Sequence, residues 1–212
     1  MGSAIESIQA GLQAAGIFVY PLLAVGLTGV ACSIDRLYVF LRYARLPGGV
    51  SGHLADPHFP WDGFHVLLSQ ADPRGAYVRF LKAIADNTDR PVWWIESRAA
   101  DEAALIERQL GQGLWILETV VTAAPLLGLL GTIAGMIGAF RLFGGSGAVD
   151  PAAVTGGVAE ALISTAIGIV SALLSLGAYN FFSHRQTVVL DEMERLGTRL
   201  IDRIRLDRGG AP

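Results

Sequence analysis

An uncharged stretch of 22 residues, from Ala161 to Phe182, is the feature that most limits how this chain can fold. At a helical rise of about 1.5 Å per residue, it is long enough to cross a hydrocarbon core of about 30 Å. One carboxylate, Glu160, comes directly before it. The stretch therefore predicts a membrane-spanning helix with an ionisable group near one end.

Small and polar residues of this predicted helix separate from the large aliphatic ones. At about 100° per residue, the small and polar residues share with Glu160 an arc of about 140°. This arc, the small face, consists of Gly157, Ala161, Ser164, Thr165, Gly168, Ser171, Ala172 and Ser175. A helix facing lipid all round has no reason for such a separation, so we expect the small face to contact protein or a pore.

Two further apolar stretches predict two further spans. Residues 7–34 carry no charge, and the apolar part from Ile17 to Ile34 predicts the first spanning helix, at 17–41, which ends with the charged residues that begin at Asp35 and Arg36. Residues 119–140 form the second, and 154–183 the third. Small residues of the second span recur every three or four positions and predict close helix packing. This glycine seam consists of Ala124, Gly128, Gly131, Gly135 and Gly138, with Thr132 at its edge.

Composition supports a membrane protein. The mean hydropathy is +0.46, and only 17% of the residues are charged. The net charge of -3 and the absence of a basic cluster among aromatics argue against nucleic-acid binding. Cys32 is the only cysteine, so no disulfide can form within one chain, and we expect neither a metal nor a cofactor.

The segments between and beside the spans differ in character. We expect a periplasmic N-terminal segment at 1–16, cytoplasmic loop and helices at 42–118, and a periplasmic turn at 141–153. Glycines and prolines across 46–63 interrupt regular structure and predict a connecting loop. After Pro91, the regular spacing of apolar residues predicts an amphipathic helix that is weakened at Gly111 and Gly113. The tail, 184–212, predicts another amphipathic helix because Val189, Met193, Leu196 and Leu200 step by four, three and four.

The basic residues predict the orientation. Of the sixteen Lys and Arg residues, only Arg141 lies between the second and third spans. By the positive-inside rule, the N-terminus should be periplasmic and the C-terminus cytoplasmic.

Three motifs resemble the MotA/TolQ/ExbB proton channel family, and more closely its three-span ExbB and TolQ members. They are Ala124-Pro125-Leu126-Leu127-Gly128-Leu129-Leu130-Gly131-Thr132, Gly156-Gly157-Val158-Ala159-Glu160-Ala161-Leu162, and Ser164-Thr165-Ala166-Ile167-Gly168 with Tyr179-Asn180 downstream. The resemblance covers the second and third spans densely and the first loosely. It implies an all-α inner-membrane protein whose second and third helices line the central pore of a homopentamer.

The resemblance also implies partners and site residues. A single-span protein of the ExbD or TolR type, with a protonatable Asp, would occupy the pore and work with a TonB-type or TolA-type protein. Thr132 and Thr165 match the family's pore threonines, and Glu160 matches its third-helix glutamate, with Ser164 beside them on the predicted proton path. Glu118, near the inner end of the second span, departs from the family pattern, so its place in that path stays open.

Each candidate site residue could also have a purely structural role instead of one in proton transport. A threonine in a membrane helix often donates its hydroxyl to a carbonyl one turn back. Glu160 could be protonated or paired and hold neighbouring subunits together. The glycine seam, and Gly168 on the third span, favour packing rather than chemistry. The chain as a whole could be a passive scaffold for single-span partners.

An enzymatic function is not expected. Gly144-Gly145-Ser146-Gly147 matches the Gly-x-Ser-Gly of intramembrane serine proteases, but no histidine accompanies it. His184 is predicted at the other end of a span about 30 Å long. The sequence thus favours an ExbB-like motor subunit that energises TonB-dependent outer-membrane transport, with a TolQ-like role in envelope maintenance as the alternative.

Overall fold

The computed structural model describes residues 19–50, 52, 60–141 and 151–209, and within these ranges all regular structure is helical. The predicted N-terminal segment 1–16, residues 142–150 of the predicted turn, and the side chain of Glu160 lie outside the described part. The helices are α1 (Val19–Tyr43), α2 (Trp61–Gln70), α3 (Ala76–Ala85), α4 (Val92–Gly111), α5 (Leu114–Arg141) and α6 (Pro151–Asp207).

Three helical stretches are long and apolar enough to cross a membrane. They are Val19–Tyr43, Val92–Phe140 and Val154–Asp207. Their order along the chain agrees with the three predicted spans, so the expectation of an all-α fold with three helices long and apolar enough to cross a membrane is confirmed for the described residues. The predicted span limits, the periplasmic or cytoplasmic placement of the other segments, and the pentamer stay predictions.

The chain divides into two compact units. The first contains Met1–Ile34 and Gly113–Asn180, and the second contains Asp35–Gln112 and Phe181–Pro212. In the first unit, α1, α5 and α6 share a core of four buried residues: Leu22, Val120, Ala124 and Ala172. All three apolar segments therefore pack together within one chain.

Glycines on α1 bring it close to α6 in this first unit. A Cβ atom added to Gly26 would lie 3.0 Å from Oγ of Ser171, and one added to Gly29 would lie 2.7 Å from Oγ of Ser175. Since both residue numbers rise together, α1 and α6 run parallel here. The Cys32 thiol donates to the carbonyl of Gly113 at 3.2 Å, which fixes the start of α5 against α1.

The second unit has its own apolar core. Phe64 and Leu68 of α2, with Leu81 and Ile84 of α3, are fully buried. Four residues of the tail are buried as well: Val189, Met193, Leu196 and Leu200. The tail is helical on this spacing, but it is the continuation of α6, which runs from Pro151 to Asp207, rather than a separate helix. A Cβ atom added to Gly197 would lie 2.9 Å from Cζ of Phe80, so the tail packs directly on the α3 ring.

Two details of local structure bear on the sequence expectations. Helix α2 begins at Trp61, inside the predicted 46–63 loop, and Val50 and Gly52 are also helical. The amide of Phe64 donates to the Pro60 carbonyl at 2.9 Å, and burial of that ring stabilises the helix despite the breakers around it. The predicted weak junction is a break between α4 and α5, where Gly113 has a φ of +83° that glycine adopts readily.

Candidate functional site

The small face of α6 packs against α5 through direct backbone contact. A Cβ atom added to Gly128 would lie 3.0 Å from the Ser164 carbonyl oxygen and 3.0 Å from the Thr165 Cα. One added to Gly168 would lie 2.6 Å from the Ala124 carbonyl oxygen. No side chain fits at these separations without displacing backbone, so the two helices meet where glycine allows it.

The contact continues toward the other end of the helix pair. A Cβ atom added to Gly135 would lie 2.9 Å from the Cβ of Ala161, and one added to Gly157 would lie 3.2 Å from the Cβ of Ala139. Along this contact the residue numbers rise on α5 while those of the contacting residues fall on α6, so the two helices are antiparallel. Of the remaining seam residues, Gly131 is buried, and Gly138 has open space around the position of an added Cβ.

Large aliphatic side chains cover the opposite sides of both helices and are exposed. On α5 these include Leu126, Leu129, Leu130, Ile133 and Ile137. On α6 they include Leu162, Ile163, Val170, Leu173 and Leu174. The size separation seen in the sequence therefore corresponds to an inner small face and an outer aliphatic face. Much of the small-residue contact lies within one chain.

Thr165 joins the two helices by a hydrogen bond. Its Oγ1 donates to the Gly128 carbonyl at 3.0 Å, and the residue is half-buried. The close approach at Gly128 makes this bond possible, since a side chain there would hold the carbonyl away. The hydroxyl can still accept a hydrogen bond from water or a proton donor.

Thr132 uses its hydroxyl differently. Its Oγ1 donates to the Leu129 carbonyl of the same helix at 2.6 Å, and the residue is half-buried. This bond back to the preceding turn is the structural alternative foreseen for threonine in a membrane helix. Thr132 and Thr165 thus both donate to backbone carbonyls in this conformation.

Ser164 is the unusual polar residue of the small face. It is 1% exposed, and its Oγ has no hydrogen-bond partner within the described ranges. A buried hydroxyl left without a partner destabilises a fold by about 1–3 kcal/mol, so such a group calls for an explanation. It lies next to Thr165, at the point where α6 contacts Gly128.

The two candidate carboxylates have different positions. Glu160 belongs to α6, one turn before Ser164, so the helical repeat puts the two on the same face. Glu118 lies on α5 and is exposed, and its carbonyl accepts a 3.4 Å hydrogen bond from Thr122. Among the described residues, no group of three or more His, Cys, Asp and Glu is arranged to hold a metal ion.

Comparison with known proteins identifies the family of this architecture. The model of the MotA/TolQ/ExbB proton channel family matches residues 76–195, which is more than half of the chain. The chain belongs to this family. The match includes α3, α4 and α5 and the part of α6 that carries the small face.

Individual relatives agree with this assignment. A protein of Synechocystis sp. named ExbB-like 3, a biopolymer transport protein, is 34% identical over 179 residues, which cover 80% of this chain and 82% of that protein. Biopolymer transport protein ExbB of Xanthomonas campestris is 40% identical over 94 residues, covering 44% of this chain and 37% of the relative. ExbB of Aquifex aeolicus is 40% identical over 78 residues, covering 37% and 53%.

Sequence reasoning missed two contacts of this site. Gly128 was placed on a packing seam, but its carbonyl also accepts the Thr165 hydrogen bond. Ser171 and Ser175 belong to the small face, and their hydroxyls lie against Gly26 and Gly29 of α1. The spacing of Gly26 and Gly29 in the first span was the available signal for the second contact.

Proposed function

We propose that this chain is an ExbB-like subunit that conducts protons and uses the proton motive force to energise TonB-dependent outer-membrane transport. The observation that carries the proposal is the buried Ser164 hydroxyl, without a described hydrogen-bond partner, inside a membrane-crossing helix pair. The chain belongs to a proton channel family, in which a buried hydroxyl can serve transport. A hydroxyl can donate a hydrogen bond to a mobile proton carrier and accept one from it.

In this proposal, Glu160 exchanges protons and the hydroxyls solvate them. A carboxylate in hydrocarbon is unfavourable by about 2.5 kcal/mol or more, so it normally faces a cavity or a partner. Glu160, Ser164 and Thr165 follow one another on the small face, and Thr132 extends the polar set on α5. Glu118 is a further carboxylate that would connect the path to the inner membrane surface.

The proposed assembly is a homopentamer in the bacterial inner membrane, with α5 and α6 around a central pore. A single-span ExbD-type partner would place its Asp in that pore, and a TonB-type protein would receive the work. The N-terminus would be periplasmic and the C-terminus cytoplasmic. Names of the relatives as biopolymer transport proteins support a transport role of this kind.

Substitution of Glu160 tests the proton path. Glu160→Gln keeps size and hydrogen bonding but removes titration, so uptake driven by the proton gradient should fall while the complex still assembles. Thr165→Val removes the hydroxyl that donates to the Gly128 carbonyl, so proton-driven uptake should fall. Thr165→Ser retains a hydroxyl, so the loss of uptake should be smaller. The measurement is client-dependent uptake beside the amount of intact complex, and full uptake by Glu160→Gln would exclude proton exchange there.

A second candidate function has its own support. Thr132 and Thr165 both donate to backbone carbonyls, as packing residues in a passive helical scaffold would. A scaffold would keep client function when Glu160 and both threonines are replaced together. The TolQ-like alternative shares the motor mechanism, and rescue of a strain lacking TolQ, but not of one lacking ExbB, would favour it.

A further inference from the structure

A cleft of about 430 Å³ in the second unit is lined by three arginines from separate segments. Arg36 comes from the end of α1, Arg74 from the turn before α3, and Arg79 from α3. Ile106, Gln109 and Leu110 of α4 also line the cleft. None of these residues belongs to the proposed proton path.

Two of the three guanidinium groups are held in place by the fold. Arg36 is only 8% exposed; it forms an ion pair with Asp35 and donates to the Gln109 carbonyl at 3.3 Å. Arg79 forms an ion pair with Glu102 at 2.5 Å and donates to Oε1 of Gln109 at 2.6 Å. Both cationic groups are therefore fixed around the Gln109 side of the cleft.

The third guanidinium is free to bind. Arg74 is exposed, and within the described ranges its side chain makes no ion pair. The Asp72 carboxylate accepts a hydrogen bond from the backbone amide of Arg74 at 3.0 Å, but Asp72 forms its ion pair with Arg42. Three guanidinium groups with two paired carboxylates leave one positive charge, and that charge is on Arg74.

The cleft also has apolar and neutral polar surface. Val39 and Leu110 are apolar, while Tyr43 and Gln112 can donate hydrogen bonds. Arg36 is two residues beyond Ile34, where the apolar part of the first span ends. A site with cationic and apolar walls at the end of a membrane span suits a lipid headgroup better than a free ion.

We propose that this cleft binds a phosphate-bearing anion, and that the phosphodiester headgroup of an anionic phospholipid is its source. Guanidinium groups match phosphate oxygens in charge and in the spacing of their donors. Arg74 closes on the phosphate, Arg36 and Arg79 provide the fixed positive wall, and the apolar residues contact the start of the lipid chains. The proposal does not depend on proton transport.

The test measures lipid binding to the full chain in detergent. Native mass spectrometry would count bound dioleoyl phosphatidylglycerol, with dioleoyl phosphatidylcholine as the zwitterionic comparison, and melting would be followed with each lipid and with inorganic phosphate. Arg74→Gln should weaken phosphatidylglycerol binding about fivefold, as expected for one basic group at a membrane surface. Arg45→Gln removes an exposed charge just beyond α1 that does not line this cleft, so it should bind like the parent.

Each outcome bears on the proposal. Protection by phosphatidylglycerol, reduced by Arg74→Gln and unchanged by Arg45→Gln, supports the lipid site. Equal protection by inorganic phosphate, with the same dependence on Arg74, supports the anion site but overturns the lipid as its source. Equal binding of both lipids, or equal loss in both variants, overturns the site. Because Arg74 is exposed in a turn, its replacement should leave the fold intact.

Discussion

Replacement of Gly168 by alanine tests whether backbone contact holds α5 and α6 together. The added methyl would lie 2.6 Å from the Ala124 carbonyl oxygen and 3.3 Å from the Gly128 Cα. Carbon and oxygen atoms normally approach to about 3.3 Å or more, so the helices must separate by roughly 0.7 Å at this point. A gap of that size removes about a quarter to a half of each dispersion contact that it separates near Gly168.

The free-energy change follows from this displacement. Overpacking of a tight contact is usually destabilising by about 1–3 kcal/mol, while Gly→Ala in a helix is stabilising by about 1 kcal/mol. Gly177 lies nine positions along α6 and has open space around its added Cβ, so Gly177→Ala carries only the favourable part. The difference between the two variants therefore isolates the packing effect, at about 1–3 kcal/mol.

The assay is thermal unfolding in mild detergent, followed by circular dichroism, for the parent and both alanine variants. For a chain of this size, the difference corresponds to a midpoint for Gly168→Ala roughly 2–12 °C below that of Gly177→Ala. Equal midpoints for the two variants would refute the reasoning, since they would mean that α6 is not in backbone contact with α5 at Gly168.

Three further predictions concern topology, acid stability and the second unit. A reporter fused after Pro212 or inserted near Gly49 should be cytoplasmic and one at Gly145 periplasmic; a cytoplasmic reporter at Gly145 would contradict the three-span topology. A hydrogen bond from Arg195 lowers the pKa of the Glu192 carboxyl below its ordinary 4.5. The resulting stabilisation is present above pH 4.5 and is lost as the pH falls through the lowered pKa. Glu192→Gln should therefore make stability depend less on pH on the acid side, and an unchanged pH–stability curve would count against the Glu192–Arg195 interaction. Gly197→Ala should lower the melting midpoint because its methyl meets the Phe80 ring, and Phe80→Leu should restore part of the loss; no rescue would place the strain elsewhere.

Much of the fold follows from the sequence because membrane helices have simple physical requirements. Three long stretches without charged residues predicted α1, α5 and α6. The helical repeat placed Ser164 and Gly168 on a different face from the large aliphatic residues of α6. Periodicity assigns a face to each residue, but it cannot determine which residue of a neighbouring helix lies opposite. The register of α5 on α6 depends on where Gly128 and Gly168 allow the backbones to meet.

The site was less predictable for the same reason. The sequence marked Thr165 as a polar residue, but its hydrogen bond to Gly128 exists only in one register. The start of α2 inside the predicted loop has another cause. Burial of Phe64 outweighs the local breakers, and burial depends on residues distant in the chain.

The pairing of Gly26 and Gly29 with Ser171 and Ser175 has a consequence for biosynthesis. The paired residues are about 145 positions apart in the sequence. At translation rates of about 5–20 residues per second, α1 is made roughly 7–30 s before the α6 residues that cover its glycines. During that interval Gly26 and Gly29 lack their α6 contacts, and Gly29 has Val120 of α5 as a partner once that residue is made, so closure of the three-helix bundle comes after the synthesis of α1. Any substitution that slows closure would lengthen the time for which α1 is open to unrelated membrane helices.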